Sequence, residues 1–362
     1  MANKLEEARK IINEVDSKMA ELFVERMRAA EMVFEHKKEF GLPILDRERE
    51  DAVVEKNSAL VEDDVLKGYY IDFIRNMMSV SRAYQYRMQS GLKVAYSGVE
   101  GAFAHIAAGR IFPEGNRVSH RDFKSAYDAV VSGDADVAVL PIENSYAGEV
   151  GQTMDLIFSG PLFINGIYDL EIHQNLLGLP DATVDDIKKV TSHPQALSQC
   201  HDYIALRGFE TDEANNTAVA AKVVKDMNDK SLGAIASVET AEIYGLKVIE
   251  ANINKSGENT TRFAVLSRVR AASPSLSNSV LMFTVKNEAG SLANAISIIG
   301  KYGYNMTALR SRPMKKHPWQ YYFYIEIDGR CDTENGKNMI KDLSKVCDKL
   351  KIAGTFAPRS EI

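Results

Sequence analysis

The chain has 362 residues, 45% of them hydrophobic, and a formal net charge of −6. That length exceeds one ordinary core, so two or three domains are expected. The acidic balance excludes the broad basic face of a duplex nucleic-acid binder but leaves room for a local anion pocket.

The opening run "MANKLEEARKIINEVD" is charged and helical, which predicts neither a secretory leader nor a membrane span and makes the cytoplasm the default location. Cys200, Cys331 and Cys347 are far apart and odd in number, as suits thiols in a reducing compartment. Neither CxxC nor HExxH occurs, so no metal is expected.

From Lys4 to about Gln89 the apolar spacing is helical, interrupted at "FGLP" (Phe40 to Pro43), where Gly and Pro end a long first helix and two shorter ones follow. Steps of three and four from Arg9 give Ile12, Asp16, Met19, Phe23, Arg26, Ala30, Val33 and Lys37, one seam of that helix. A single arginine there would snorkel to water, whereas three cations on one seam point to an anion site. At ~1.5 Å per residue Arg26 and Lys37 lie roughly 16 Å apart along the axis, within reach of one small anion, while Arg9 lies roughly 25 Å from Arg26. Arg9 therefore serves such a site only from a second, antiparallel copy, with the two-fold axis near Ala20. Asp46, Arg49 and Glu50 gather on the first turns of the next helix, where Asp46 also reads as an N-cap. Ser81 and Gln85 lie four apart on one face of the last helix.

At Arg9, Arg26, Lys37, Asp46, Arg49, Glu50, Ser81 and Gln85, residues 4 to 89 resemble the all-helical type of chorismate mutase. The resemblance implies a Claisen rearrangement of chorismate to prephenate, in a homodimer or higher homo-oligomer with a shared site. It implies that Arg26 and a second copy's Arg9 clamp carboxylates, that Lys37 and Gln85 act on the ether oxygen, and that Glu50 takes the ring hydroxyl. Asp46, Arg49 and Ser81 would complete substrate binding.

Near Gly91 the pattern changes to short β-branched runs ("LKVAYSG", "ADVAVLPIEN", "KVTSHPQ", "LGAIASVE") alternating with amphipathic helices ("FKSAYDAVVSGD", "NNTAVAAKVVKDMND"). This predicts two α/β lobes with mostly parallel strands and a ligand at the strands' carboxyl ends. Four stretches stand there: "SGVEGAFAH" (Ser97 to His105), "PIENSYAG" (Pro141 to Gly148), "TSHPQA" (Thr191 to Ala196) and "NTTRF" (Asn259 to Phe263). Ser192 with Gln195 also fits a capping box with Pro194 at the helix start. Through "IENS", "SHPQ", "YGL" and "TRF", residues 92 to 267 resemble prephenate dehydratase. The resemblance implies loss of carbon dioxide and the ring hydroxyl from prephenate, with Thr261 as proton donor. Asn144, Ser145, Ser192, His193, Gln195 and Arg262 are the expected substrate contacts.

After the Ser-rich "AASPSLSNS" (Ala271 to Ser279), the order strand, helix, strand, strand, helix, strand predicts a separate ferredoxin-like α+β unit. Its "GSLANAI" (Gly290 to Ile296) and "RSRP" (Arg310 to Pro313) resemble the ACT regulatory domain, implying L-phenylalanine as allosteric inhibitor at Ser291, Leu292, Ala293, Asn294, Ser311 and Arg312. Arg310 stands where that domain has glutamate, which predicts weaker phenylalanine binding. The expected domains are 1–90, helical mutase; 91–268, two-lobed α/β dehydratase; and 279–358, ACT. Together they imply a bifunctional enzyme of phenylalanine biosynthesis acting on chorismate and prephenate, with no cofactor and no nucleic-acid or membrane partner. The alternative is a metabolite-sensing binding protein whose helices only dimerise it.

Overall fold

The computed structural model describes residues 3–254, 259–273, 275–314 and 319–362, in two compact units, Met1–Gly91 and Leu92–Ile362. The first unit is α1 (Lys4–Glu39), α2 (Arg47–Ser58) and α3 (Asp64–Ser90). Asn3, Asp46 and Asp63 cap them, each side chain accepting from first-turn backbone N–H groups. The chain leaves α1 through Gly41, whose φ of 64° is open to glycine at little cost.

Only the second half of α1 is covered by its own chain. Ala30 and Phe34 are buried, while Leu5, Ile12, Met19, Leu22 and Phe23 stand between 41% and 63% exposed. Val33, expected on the buried seam, is 47% exposed, and Phe34 takes its place in the core. A straight helix drifts about 20° per heptad, enough to move the seam by one residue.

The second unit opens with a lobe of β1 (Lys93–Ser97), α4 (Phe103–Ile111), β2 (Asn116–His120), α5 (Phe123–Ser132), β3 (Val137–Asn144), β4 (Gly148–Glu149), α6 (Gly151–Ser159) and β5 (Phe163–Glu171). The chain then crosses to a second lobe: β6 (Asn175–Gly178), β7 (Lys189–Ser192), α7 (Pro194–Gln199), α8 (His201–Arg207), β8 (Glu210–Glu213), α9 (Thr217–Met227), β9 (Leu232–Ala236), α10 (Val238–Tyr244) and β10 (Lys247–Glu250). It returns as β11 (Thr260–Ser267).

Both sheets are mixed rather than mostly parallel. β1 runs parallel to β2 and β3, and β7 to β8 and β9, as crossover helices require. The strands next to the crossings run the other way: β11 is antiparallel to β3 and β5, and β6 to β9 and β10. The start of β11 therefore lies beside the carboxyl end of β3, with Thr261 opposite Asn144 and Arg262 opposite Glu143.

The chain closes with β12 (Asn278–Thr284), α11 (Ser291–Lys301), β13 (Asn305–Pro313), β14 (Tyr321–Asp328), α12 (Glu334–Leu343), β15 (Lys349–Phe356) and β16 (Ser360–Glu361). Its strand order is β13-β14-β12-β15, and β15 joins β5 at Gly354 and Ile164, extending the first lobe's sheet to eleven strands among the described residues. A Cβ on Gly354 would sit 2.1 Å from the Ile164 carbonyl oxygen, so the junction requires glycine. The Ser-rich stretch, whose Pro274 lies outside the described residues, thus does not set this unit apart. Ile157, Leu162 and Leu266 share one core with Met282, Tyr322 and Phe356, and Phe158 stacks on Tyr322 with centroids 4.3 Å apart. Among the described residues no helix is long and apolar enough to cross a membrane.

Candidate active sites

In the helical unit Arg26, Lys37, Ile44, Asp46, Arg49, Glu50, Val53, Met78, Ser81, Arg82 and Gln85 line one cavity of about 150 Å³. Seven of the eight polar residues singled out in the sequence meet there. Arg9 does not: it is exposed on the open half of α1.

The lining carries four cations, Arg26, Lys37, Arg49 and Arg82, against two carboxylates, Asp46 and Glu50, a formal balance of +2. Such a balance matches a small dicarboxylate. Asp46 caps α2 through the Arg49 N–H at 3.0 Å. Arg26 donates to the Ser81 hydroxyl, which donates to the Met77 carbonyl at 3.0 Å. Lys37 Nζ donates to the Ile44 carbonyl at 2.6 Å, which aims the last turn of α1 at the α1–α2 connection. Gln85 is buried, and its Oε1 has no partner among the described residues. A buried amide that no protein group fixes is free to turn its N–H end to a ligand oxygen.

Sequence reasoning missed Arg82, whose guanidinium pairs with Glu50 on the cavity wall. Its signal was weak: next to Ser81, one more cation reads as a solvated helix face. Arg82 holds Oε1 of Glu50, and among the described residues its other carboxylate oxygen accepts no hydrogen bond.

In the two-lobed unit, Asn144 is the hub. Its Oδ1 accepts from Tyr146 N at 3.1 Å, Ala147 N at 2.8 Å and Gln195 Nε2 at 3.0 Å. Three donors on the oxygen fix which way the amide lies, so Nδ2 must be the group facing Thr261 Oγ1 at 2.9 Å and Asn259 Oδ1 at 2.9 Å. Thr261 accepts from Asn144, and among the described residues no acceptor takes its own proton. Asn259 continues the polar chain to Gln199 at 2.9 Å, and Gln199 accepts from Gln174 at 3.4 Å. "IENS", "SHPQ" and "NTTRF" thus converge from two lobes.

Other expected contacts lie elsewhere. Arg262 points to the opposite face of β11 from Thr261, since neighbours on a strand alternate, and it binds Glu143 at 2.7 Å and Asp169 at 3.0 Å. Ser192 is fully buried and donates to the Ile235 carbonyl at 2.6 Å. His193, not Ser192, caps α7, accepting from Gln195 N at 3.2 Å. Ser145 accepts from Thr260 N at 2.9 Å and fastens the strand end. "SGVEG" meets the second lobe at α10 instead: Thr240 donates to the Gly101 carbonyl at 2.8 Å and Tyr244 to the Glu100 carbonyl at 2.9 Å. Burial, with the Arg117 charge beside it, holds His105 below the usual imidazole value, so its neutral Nδ1 accepts from Gly101 N at 3.2 Å.

Asn259 and Gln199 were also missed. Asn259 heads a stretch already marked, and Gln199 lies four residues after Gln195, which on a helix means the same face.

Near the chain's end a cavity of about 340 Å³ is lined by residues that include Asn287, Glu288, Leu292, Tyr321 and Phe323. Of the residues expected to regulate, Leu292 alone lines it. Ser291 opens α11, Ala293 and Asn294 are exposed on it, and Ser311 is exposed on β13. Arg312 turns to the first lobe and pairs with Asp155 at 3.3 Å. Arg310 is not among the residues lining this cavity; it pairs with Glu143 and with Glu326.

These features define a helical isomerase unit followed by a two-lobed lyase unit, and the family models for chorismate mutase type II and prephenate dehydratase match residues 8–86 and 94–271. The bifunctional chorismate mutase/prephenate dehydratase of Aquifex aeolicus is 30% identical over 98% of this chain and 98% of its own. The chain belongs to the bifunctional chorismate mutase/prephenate dehydratases, and it converts chorismate to prephenate and prephenate to phenylpyruvate in phenylalanine biosynthesis. Among solved structures, the quorum-quenching acylase GqqA is 29% identical with a TM-score of 0.68, covering 73% of this chain and 97% of its own. The prephenate dehydratase of Staphylococcus aureus is 26% identical with a TM-score of 0.65, covering 73% and 100%.

Proposed function

We propose that the two activities run at two independent sites, the cavity of the helical unit and the Asn144–Thr261 end of the β3–β11 pair. In the first, the rearrangement needs no acid or base, so the residues act by holding the compact diaxial conformer and by meeting charge on the ether oxygen. Arg26, assisted by Ser81, and Arg49 bind the carboxylates, while Lys37 and the Gln85 amide donate to the ether oxygen. Asp46 fixes the start of α2, and Glu50, held by Arg82, accepts the ring hydroxyl. Arg9 of a second copy completes the clamp, and the apolar residues left open on the first half of α1 support such a partner. The protein is then a homodimer or higher homo-oligomer.

In the second site, the bond from the ring to the departing carboxylate supplies the electron pair that aromatises the ring as the carbon–oxygen bond breaks. Thr261 gives its proton to the leaving oxygen only as that bond breaks, forming water, and regains one from solvent. Asn144, Gln195 and Asn259 hold Thr261 in place. The observation that carries this reading is that Thr261 accepts from Asn144 and keeps its own proton for a ligand. Thr261→Ala should cut dehydratase turnover by about a hundredfold or more while the mutase stays within a few-fold. Chorismate would then accumulate as prephenate, and a folded variant that makes phenylpyruvate at a near-normal rate would refute the role.

Residues 279–358 are read as an ACT regulatory domain, after a mutase domain at 1–90 and a dehydratase domain at 91–268. Its βαββαβ order supports the reading, and the cavity beside Leu292 is a chamber for a free amino acid such as L-phenylalanine. Three unpaired cysteines suit the cytoplasm.

A further inference from the structure

We propose that Arg310 is a positioning residue for the dehydratase, reaching from the C-terminal unit to fix Glu143 and, through it, the strand ends that carry Asn144 and Thr261. The proposal rests on the reading of those two residues as the reacting end.

The connection is short. Glu143 precedes Asn144 on β3, and Arg262 follows Thr261 on β11, each opposite the other across the ladder. Alternation puts the Asn144–Thr261 hydrogen bond on one face and the Glu143–Arg262 ion pair on the other. The register shifts just beyond, between Arg262 and Phe263, so the strand end is not held by regular pairing alone.

On the second face stands a closed set of charges. Arg310 pairs with Glu143 and, at 3.5 Å, with Glu326; Arg262 pairs with Glu143 and Asp169; Arg359 pairs with Glu326. Three guanidiniums balance three carboxylates. The side chains of Arg310 and Arg262 are each 18% exposed and that of Glu326 is 1% exposed, so water screens this set poorly. Burial pushes the Glu143 carboxyl up, but the guanidiniums of Arg310, Arg262 and Arg359 together bring it below the ordinary value. Tyr324 supports Arg310, whose guanidinium carbon lies 5.3 Å from the ring centroid. Two residues on, Arg312 uses the same face of β13 to bind Asp155 of the first lobe. Without Arg310, Glu143 keeps a single cation partner and the set carries an unbalanced charge.

The test is steady-state kinetics of the full chain on prephenate and on chorismate. Arg310→Gln should lower dehydratase kcat about tenfold, because small misplacement of reacting groups is costly. The prephenate KM should stay within about twofold, since Arg310 touches no substrate, and mutase turnover should not change. Arg310→Lys, which keeps a charge for Glu143 but not the fork, should recover part of the loss. The double variant Arg310→Gln/Glu143→Gln should lose no more than the worse single one, because both act through one contact. Wild-type kcat in folded Arg310→Gln, a loss confined to KM, or losses that multiply would each overturn the proposal. If Arg310→Gln does not fold, Arg310→Lys carries the test, with an expected loss of about threefold and wild-type kcat as the refuting result. Thr261→Ala run alongside separates the two claims. A dead Thr261→Ala beside a normal Arg310→Gln sinks only the positioning role, whereas an active Thr261→Ala overturns the site and the proposal with it.

Discussion

Replacing Asn144 by aspartate changes one atom type at the hub of the proposed dehydratase site. The carboxylate would keep its three donors, Tyr146 N, Ala147 N and Gln195 Nε2. Its second oxygen, however, would face Asn259 Oδ1 and Thr261 Oγ1, each 2.9 Å from the present nitrogen. Opposite Asn259 two acceptors would meet, costing about 1–3 kcal/mol of stability in that unit. Opposite Thr261 the consequence is chemical, because the hydroxyl would turn its proton to the carboxylate and no longer offer it to the leaving oxygen. Losing one donor aimed at developing negative charge costs roughly 10²–10³ in turnover. Asn144→Asp should therefore lose that much dehydratase kcat, measured as the alkaline absorbance of phenylpyruvate enolate formed from prephenate. Mutase turnover in the same sample is the control for folding and concentration. A folded Asn144→Asp protein within about threefold of wild type would refute the assigned hydrogen-bond direction, and with it the account of Thr261.

Gln85 offers a neutral amide, so mutase turnover should be nearly flat across neutral pH; Gln85→Glu donates only when protonated and should move its optimum to acid. An unchanged profile in that variant would remove Gln85 from the ether oxygen. For His105 the folded value lies below 6.5, so the stability contributed by its neutral ring is complete above 6.5 and lost as pH falls through the lowered value. Unfolding free energy should rise with pH in that window by at most about 1.4 kcal/mol per unit from this group. Denaturant titrations of His105→Asn, which keeps an acceptor for Gly101 N but cannot titrate, should show a shallower slope there, and equal slopes would contradict the assignment.

Helical periodicity made the cavity of the helical unit legible because its polar residues lie on three consecutive helices or, like Asp46, at the cap of one, and helix faces follow from spacing alone. Arg82 escaped for the same reason, since a cation at the edge of such a face looks solvated until α2 brings Glu50 beside it. Strand faces are equally periodic, and alternation already separates Thr261 from Arg262; the motif as a block obscured it. Ser192 and His193 differ by one residue at the start of α7, the kind of boundary that local pattern resolves least well. Strand direction and sheet merging were beyond local pattern altogether. Whether β11 returns antiparallel, and whether β15 joins β5, depends on pairings between segments almost a hundred residues or more apart, such as Thr261 with Asn144 and Gly354 with Ile164. For Arg310 the sequence shows only an exchanged charge, and its ion-pair partner, Glu143, lies 167 residues earlier in the chain.

The claim that the charge along α1 is an active site shared by two copies is tested most directly by subunit mixing. Arg9→Ala and Arg26→Ala homodimers should each be nearly inactive as mutases. In a mixed dimer one site carries both substitutions, while the other is built from intact Arg26 of one chain and intact Arg9 of the other. Random pairing makes about half the dimers mixed and restores about half of their sites, so equal amounts co-refolded should regain roughly a quarter of wild-type mutase activity. Homodimers folded separately and combined without exchange should stay inactive. Mixed dimers verified by two different tags, yet no more active than the single variants, would contradict the shared site.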